Sequence, residues 1–323
     1  MKRSLSYILH SGKNSKLAYY VRSYLRLLVP GWWTRSRCES LLQEIDNRAD
    51  KEDIHRRINY YCRLHEDTPL PLDAQQLKDY TFPREGKVYF FDAQEIYRYF
   101  PQDYRWSILP GDITYTPALP AFVKSRPLAG DTTNAVLLKM DKVRHYIFPN
   151  DTIAWEDKKP LAIFRGKTKG KAERQLFMQM YFGSNVCDCG DVGKPDSEVP
   201  PQWHTPFMTI SDHLKYRYIL ALEGNDVASN LKWVMSSNSI AVMPRPTCET
   251  WFMEGTLIPD YHYIEIKPDF SDLEERLTYY NNHPDEAQAI IEHAHAYAAP
   301  FRDTHREKLI ALGVMNKYFR LTQ

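Results

Sequence analysis

Two turns in this chain gather residue types that bind anions. The first follows a short apolar run, Tyr218-Ile-Leu-Ala-Leu222, which has the length of a buried strand. A polar turn comes next, Glu223-Gly224-Asn225-Asp226. Ala228, Ser229, Leu231, Lys232, Val234 and Met235 then carry a helical spacing with a mixed face, and Ser239 to Met243 reads as a second apolar strand. The spacing predicts strand, tight turn, helix, strand. At such a helix N-terminus, unpaired N–H groups and the helix dipole favour an anion. Ser229 and Lys232 are three apart and share one helix face near that end. This suits a nucleotide diphosphate. The other turn is Arg165 to Lys171, rich in Gly and Lys, between a clean strand, Leu161 to Phe164, and a helix predicted over 172–182.

These turns need a scaffold, and the pattern around them supplies one. From about residue 158 onward, strands alternate with helices, which predicts a doubly wound α/β domain with a mostly parallel sheet. Ligands of such sheets bind outside the carboxyl ends of the strands, where both turns lie. Further strands or helices are predicted at 262–266, 273–280, 285–298 and 301–319, and 185–206 reads as a long loop. Upstream, 37–64 reads as one helix or two. A strand over Lys87-Val-Tyr-Phe-Phe91 precedes a short helix over 92–99, and short strands follow at 113–115, 121–123 and 136–138.

The chain has 323 residues, 43% hydrophobic and 26% charged, which is ordinary for a folded protein of one large or two average domains. A net charge of +1 excludes a chain-wide polyanion binder, and no basic stripe outside the N-terminus supports nucleic-acid binding. The N-terminus differs. Met1 to Arg37 holds eight bases and no acid, interleaved with Leu17, Val21, Tyr24, Leu25 and Leu28 at helical spacing, then Trp32 and Trp33. A basic amphipathic helix of this kind suits an anionic membrane surface; the alternative is a helix packed on the body of the protein. No apolar run approaches the roughly 18 residues of a spanning helix, and no signal-peptide core is present, so the expected location is cytoplasmic, peripheral on the inner face of the membrane. Five cysteines, an odd count without a disulfide spacing, agree with a reduced compartment. Cys187 and Cys189, one residue apart with no second pair, make a poor zinc signal even with His204 and His213 nearby, and no metal is expected.

Several blocks together carry a resemblance. Glu223-Gly-Asn-Asp-x-Ala-Ser-Asn-Leu-Lys-Trp233, then Ser237-Asn-Ser239, then Glu249-Thr-Trp-Phe-Met-Glu-Gly255, then Pro259-x-x-His262-Tyr263 resemble glycosyltransferase family 90. Lys124-Ser125-Arg126-Pro127, with Asn134 and Arg144-His145, resembles the bacterial branch, which makes lipopolysaccharide and capsule. Phe164-Arg165-Gly166 with Arg174 resembles the block found across the family. The resemblance implies a GT-B plan: two Rossmann-like domains facing across a cleft, here 1–155 on the acceptor side and 156–300 on the nucleotide-sugar side. A last helix, 301–323, would cross back to the first.

Sugar transfer must stabilise the leaving diphosphate, activate the acceptor hydroxyl and orient the donor. A metal held by Asp-x-Asp often does the first task, and this chain contains no Asp-x-Asp. Cations then replace it, as the resemblance implies. The donor-binding candidates are Arg165, Gly166, Lys167, Thr168, Arg174, Gly224, Asn225, Ser229, Asn230 and Lys232. In the family's eukaryotic members the counterpart of Arg174 contacts the diphosphate, and an arginine stands where this chain has Asn230; the charge then falls to Lys232. Glu249 is expected to accept from the ribose hydroxyls. The eukaryotic catalytic aspartate, in an Arg-Asp-Tyr-Pro block, aligns with Ser125, so that role does not carry over. Asp112 and Asp131 are the nearest candidate bases. Lys124, Ser125, Arg126, Arg144 and His145 are expected to line the cleft or meet the acceptor.

The reading that follows is a metal-independent, inverting, cofactor-free hexosyltransferase. It would use a nucleotide-sugar, UDP-linked by the resemblance, and a glycan or lipid-linked glycan of the lipopolysaccharide type as acceptor. The alternative is a non-catalytic glycan- or nucleotide-binding protein on the same fold.

Overall fold

The computed structural model describes residues 11–323. In chain order the helices are α1 (Lys16–Leu27), α2 (Gly31–Arg35), α3 (Cys38–Asp46), α4 (Lys51–Tyr61), α5 (Lys87–Tyr97), α6 (Lys142–His145), α7 (Ala172–Tyr181), α8 (Ile210–His213), α9 (Leu231–Val234), α10 (Leu273–Asn282), α11 (Pro284–Ala298) and α12 (Thr304–Thr322). The strands are β1 (Ile108–Leu109), β2 (Ala121–Val123), β3 (Ser125–Pro127), β4 (Ala135–Leu137), β5 (Lys159–Gly166), β6 (Cys187–Asp191), β7 (Tyr216–Leu220), β8 (Ile240–Met243), β9 (Cys248–Thr250) and β10 (Ile264–Glu265). The fold is mixed α/β with parallel sheets, and the chain divides into two compact units.

One unit is built from residues 15–143, 247–255 and 301–323. Its three-stranded sheet is parallel, in the order β1-β2-β4, and β3 pairs antiparallel with β9. The long C-terminal helix α12 is buried along most of its length against α3, α4 and α5. A buried ion-pair group fastens it. Glu307 on α12 accepts from Arg57 at 2.5 Å, from Lys139 at 2.8 Å and from the indole N–H of Trp251 at 2.6 Å.

The other unit is built from residues 11–14, 144–246 and 256–300. Its five-stranded sheet is fully parallel, in the order β6-β5-β7-β8-β10. Numbered along the chain within this sheet, the order is 2-1-3-4-5, a doubly wound arrangement. The central strands β5, β7 and β8 carry continuous apolar runs because both faces are covered. Phe164, Tyr218, Leu220, Val242 and Ile264 meet Phe177 of α7, Leu277 of α10 and Ile290 of α11 in one core. Sheet growth reverses between β5 and β7, which makes that pair the topological switch point.

Four local expectations are corrected. Lys87 to Phe91 is the start of α5, not a strand: Phe90, Phe91, Ala93, Ile96 and Tyr97 are all buried, so the apolar pattern is too broad to show a helical period. The span 185–206 is not only loop. It contains β6, whose sequence Cys-Asp-Cys-Gly-Asp lacks strand formers but pairs with β5 along its whole length. Residues 113–115 form no strand. The helix after the Glu223 turn begins only at Leu231 and is a single turn, so its dipole is small and cannot hold an anion alone.

Candidate active site

β5 and β7 lie side by side, with Ile163 opposite Ile219. Their carboxyl ends feed the two turns singled out above, and the crevice outside such ends is where doubly wound sheets bind ligands. Arg174, in the first turn of α7, spans both turns. Its Nε donates to the carbonyl of Glu223 at 2.8 Å, Nη2 to the carbonyl of Leu222 at 2.7 Å and Nη1 to the carbonyl of Lys167 at 3.1 Å. No carboxylate lies within ion-pair distance of it among the described residues. Burial lowers its pKa, against an opposing effect of Glu173. A guanidinium has more N–H donors than these three bonds use. The result is a fixed, partly desolvated positive charge at the switch point, held by backbone dipoles. An anionic oxygen arriving there would gain charge-assisted bonds.

The surrounding residues hold this geometry. A Cβ on Gly224 would stand 3.0 Å from Nη2, and one on Gly166 would stand 3.3 Å from Nη1, so glycine at both turns leaves the guanidinium its place. The Gly224 N–H donates to the Asp226 carbonyl at 2.9 Å and closes the tight turn. Lys171 Nζ donates to Asn225 Oδ1, a second bridge between the turns. Asp191, at the end of β6, was not singled out from sequence, yet it pins the 166–171 turn. Its Oδ1 accepts from Thr168 N at 2.7 Å and Thr168 Oγ1 at 2.9 Å; its Oδ2 accepts from Gly193 N at 2.7 Å and lies 3.0 Å from His204 Nδ1. The one sequence signal for it was an aspartate two residues before a glycine, an Asx-turn spacing.

The other donor candidates are placed unevenly. Lys167, Asn225 and Ser229 are exposed at the turns, and Thr168 is buried under them. Asn230 donates to the Leu220 carbonyl at 2.9 Å and ties α9 to the end of β7. Lys232 is fully buried rather than presented at a surface. Arg165 turns to Asp188, with Nη2 to Oδ1 at 2.6 Å and Nη1 to the Asp188 carbonyl at 2.8 Å, and so serves β6.

Glu249 belongs to the other unit, where Arg126 on β3 is its register partner on β9. Both side chains are fully buried. Arg126 Nε donates to Glu249 Oε1 at 2.8 Å, Arg63 Nη2 reaches the same oxygen at 3.2 Å, and the Tyr60 hydroxyl donates to Oε2. The remaining Arg126 donors go to the carbonyls of Tyr60 and Ala135, at 2.8 and 3.1 Å, and more loosely to that of Tyr61. The whole Glu249 to Gly255 block is a structural knot. Thr250 N donates to Glu254 Oε2 at 2.6 Å, Trp251 stacks on Tyr61 with ring centres 3.9 Å apart, and Met253 takes a left-handed φ of 60°. A Cβ on Gly255 would stand 2.4 Å from Leu128 Cδ2 and 3.0 Å from Glu249 Oε2. Burial and pairing here answer for the residue types, and neither Glu249 nor Arg126 is open to a ligand in this arrangement.

In the same unit, buried Lys124 donates to Asp112, whose carboxylate is half-buried. Ser125 Oγ is occupied by Ile113, accepting from its N–H at 3.1 Å and donating to its carbonyl at 2.9 Å. Asp131 is exposed, and its Oδ1 accepts from Thr133 N at 2.9 Å and Thr133 Oγ1 at 2.7 Å, a side-chain turn; these bonds lower its pKa. Arg144 and His145 fall in the switch-point unit, with Arg144 exposed and its Nη2 3.0 Å from the Nε2 of buried His145.

The sequence that builds this geometry has parallels among known proteins. Residues 131–319 match the profile of Glycosyl transferase family 90. O-glucosyltransferase LpsA of Dichelobacter nodosus is 40% identical over 313 residues, covering 95% of this chain and 96% of that protein. The chain belongs to glycosyltransferase family 90. Protein O-glucosyltransferase 3 of Homo sapiens is 25% identical over 197 residues, 58% of this chain and 38% of the human protein. Uncharacterized protein 027R of Frog virus 3 is 27% identical over 169 residues, 42% of this chain and 17% of the viral one. As a family 90 glycosyltransferase, the chain has both switch-point turns, Arg174, Asp191 and the Glu249 knot inside the family match. Asp112, Lys124 and β3 precede it.

Proposed function

We propose that this family 90 glycosyltransferase transfers a hexose, in the first instance glucose, from a UDP-sugar to a lipopolysaccharide or related surface-glycan acceptor, with inversion and without a metal. The observation that carries the reading is the guanidinium of Arg174, held by three carbonyls and no carboxylate at the switch point. Such a charge suits the diphosphate of a nucleotide-sugar. It is fixed before the reaction, so it stabilises the leaving UDP without reorganisation. Lys167, Ser229 and the backbone of the Gly224 turn complete the donor contacts, and Lys232 contributes from below the surface. Glucose is supported by the relatives' names, and a surface-glycan acceptor by the resemblance to the bacterial branch.

Inversion requires a base for the acceptor hydroxyl. Asp112 is assigned that role over Asp131, because Asp131 is an exposed turn residue, whereas the Asp112 carboxylate is half-buried beside the Lys124 cation. The GT-B plan and a cytoplasmic location belong to the same proposal. No described helix is long and apolar enough to cross a membrane.

The test is turnover of UDP-glucose with a core-oligosaccharide acceptor, with and without excess chelator. Acceptor-dependent UDP release that survives EDTA is the expected result. Activity abolished by EDTA and restored by manganese would refute the metal-independent mechanism. Donor binding with no turnover for any glycan acceptor would favour the non-catalytic alternative.

A further inference from the structure

α1 is amphipathic in the reverse sense. A helix on a folded body normally buries its apolar stripe and exposes its polar one. Here the polar stripe is fastened down. Tyr19 donates to Asp92 Oδ1 at 2.8 Å, Arg26 pairs with Glu95 at 2.8 Å, and Arg98 donates to the carbonyls of Arg26 and Val29 at 2.6 Å each. Ser23 is the buried residue of the helix. Leu17, Val21, Leu25 and Leu28 face outward, Leu17 and Leu28 with 76% and 78% of their surface exposed. Tyr24 touches the rings of Phe91 and Phe82 and is otherwise exposed. The strip continues past Pro30 onto α2, where Trp32 is 67% exposed and Trp33 44%. Thr34 locks α2 in place by donating to the Arg98 carbonyl at 3.0 Å.

The fringe of this strip is basic. Lys16, Arg22, Arg35 and Arg37 are exposed, and none forms an ion pair among the described residues. Arg37 lies over the Trp33 ring at 4.9 Å. Residues 1–37 contain no acid, though Lys2 and Arg3 of this segment lie outside the described residues. A protein partner would need a complementary acidic rim around an apolar groove. A bilayer with anionic headgroups offers both components in a single plane: Trp is at home at the headgroup level, Leu and Val just below it, and Lys and Arg at the charged surface.

We propose that the outward face of α1 and α2 is a membrane-docking surface whose occupant is an anionic phospholipid layer. It stands on the exposed face and its charge, independently of the transfer reaction. The surface is already formed in the folded protein, so docking orders no new segment.

The test is co-sedimentation of the full chain with vesicles of phosphatidylcholine alone or mixed with phosphatidylglycerol, at low and high salt. Binding to the mixed vesicles that falls with salt is expected, with little binding to phosphatidylcholine alone. One variant combines Lys16→Glu, Arg22→Glu and Arg35→Glu. Each lost base should lower partition by about fivefold or more. A second variant combines Leu17→Ser, Leu28→Ser, Trp32→Ser and Trp33→Ser; it should lose binding and the blue shift of tryptophan emission on vesicles. Both variants should keep the circular dichroism spectrum and the turnover of a water-soluble acceptor. Absence of binding to mixed vesicles at low salt overturns the proposal. So does a dimer in light scattering that the second variant dissolves, since a second copy would then cover the face. Vesicle binding without transferase activity would count against the proposed reaction and leave this surface standing.

Discussion

Arg174 Nε donates to the main-chain carbonyl of Glu223, 49 positions further along the chain, at 2.8 Å. This bond joins the helix after β5 to the turn after β7, the two strands between which the sheet reverses its growth, while Nη1 of the same side chain holds the Lys167 carbonyl in the turn after β5. One side chain thus fixes the spacing of both turns and leaves its charge in the crevice between them. The proposed binding element is a guanidinium held by backbone dipoles, and the single-turn helix α9 contributes little field of its own.

The Arg126–Glu249 pair sets the first prediction. Removing one member of a buried ion pair leaves the other charged and unpaired, which costs about 3–5 kcal/mol. Glu249→Gln should therefore lower unfolding free energy by roughly that amount in urea titration, with UDP affinity unchanged in the fraction that folds. A variant of normal stability that has lost UDP binding would instead put Glu249 on the ribose.

The second prediction separates the candidate bases. Asp112→Asn should reduce turnover by about 10²–10⁴, the usual contribution of a general base, while UDP binding persists. Asp131→Asn removes a turn acceptor on the surface and should stay within a few-fold of the parent. Full activity in the Asp112 variant would remove it from the mechanism.

His262 supplies a pH dependence. Burial, with the neighbouring His293 adding to it, brings its pKa down from 6.5 to about 4. Its Nδ1 accepts from the Ile258 N–H at 2.9 Å, so protonation there would break a backbone bond. The unfolded chain binds the proton more readily than the folded one. Stability from this group is therefore full above pH 6.5 and declines as pH falls toward 4. His262→Asn, which keeps an acceptor but does not titrate, should flatten the urea midpoint across that window. An unchanged slope would locate the acid sensitivity elsewhere.

Much of the switch-point unit was legible in the sequence. Apolar runs at Leu161 to Phe164, Tyr218 to Leu222 and Ser239 to Met243 foretold β5, β7 and β8 to within a few residues, because strands buried on both faces are continuously apolar. The turns were legible through their glycines. β6 was not, since its cysteines behave as small hydrophobes and its pairing is tertiary. The Glu249 block read as functional because it is chemically distinctive, yet its residue types answer to a left-handed turn, a stacked Trp and a buried ion pair. Only three-dimensional pairing, which brings residue 126 opposite residue 249, could reveal that. Lys232 was legible as a cation and illegible as a buried one, because helical spacing alone does not say which way a single turn faces.

The central claim is that Arg174 receives the donor diphosphate. Calorimetric titration of UDP and of uridine into the parent protein and Arg174→Ala tests it most directly. A charge-assisted hydrogen bond contributes about 1.5–3 kcal/mol, so UDP affinity should fall by about 10- to 100-fold. Uridine, which lacks the diphosphate, should bind both proteins equally. A folded Arg174→Ala variant that binds UDP as tightly as the parent would contradict the account.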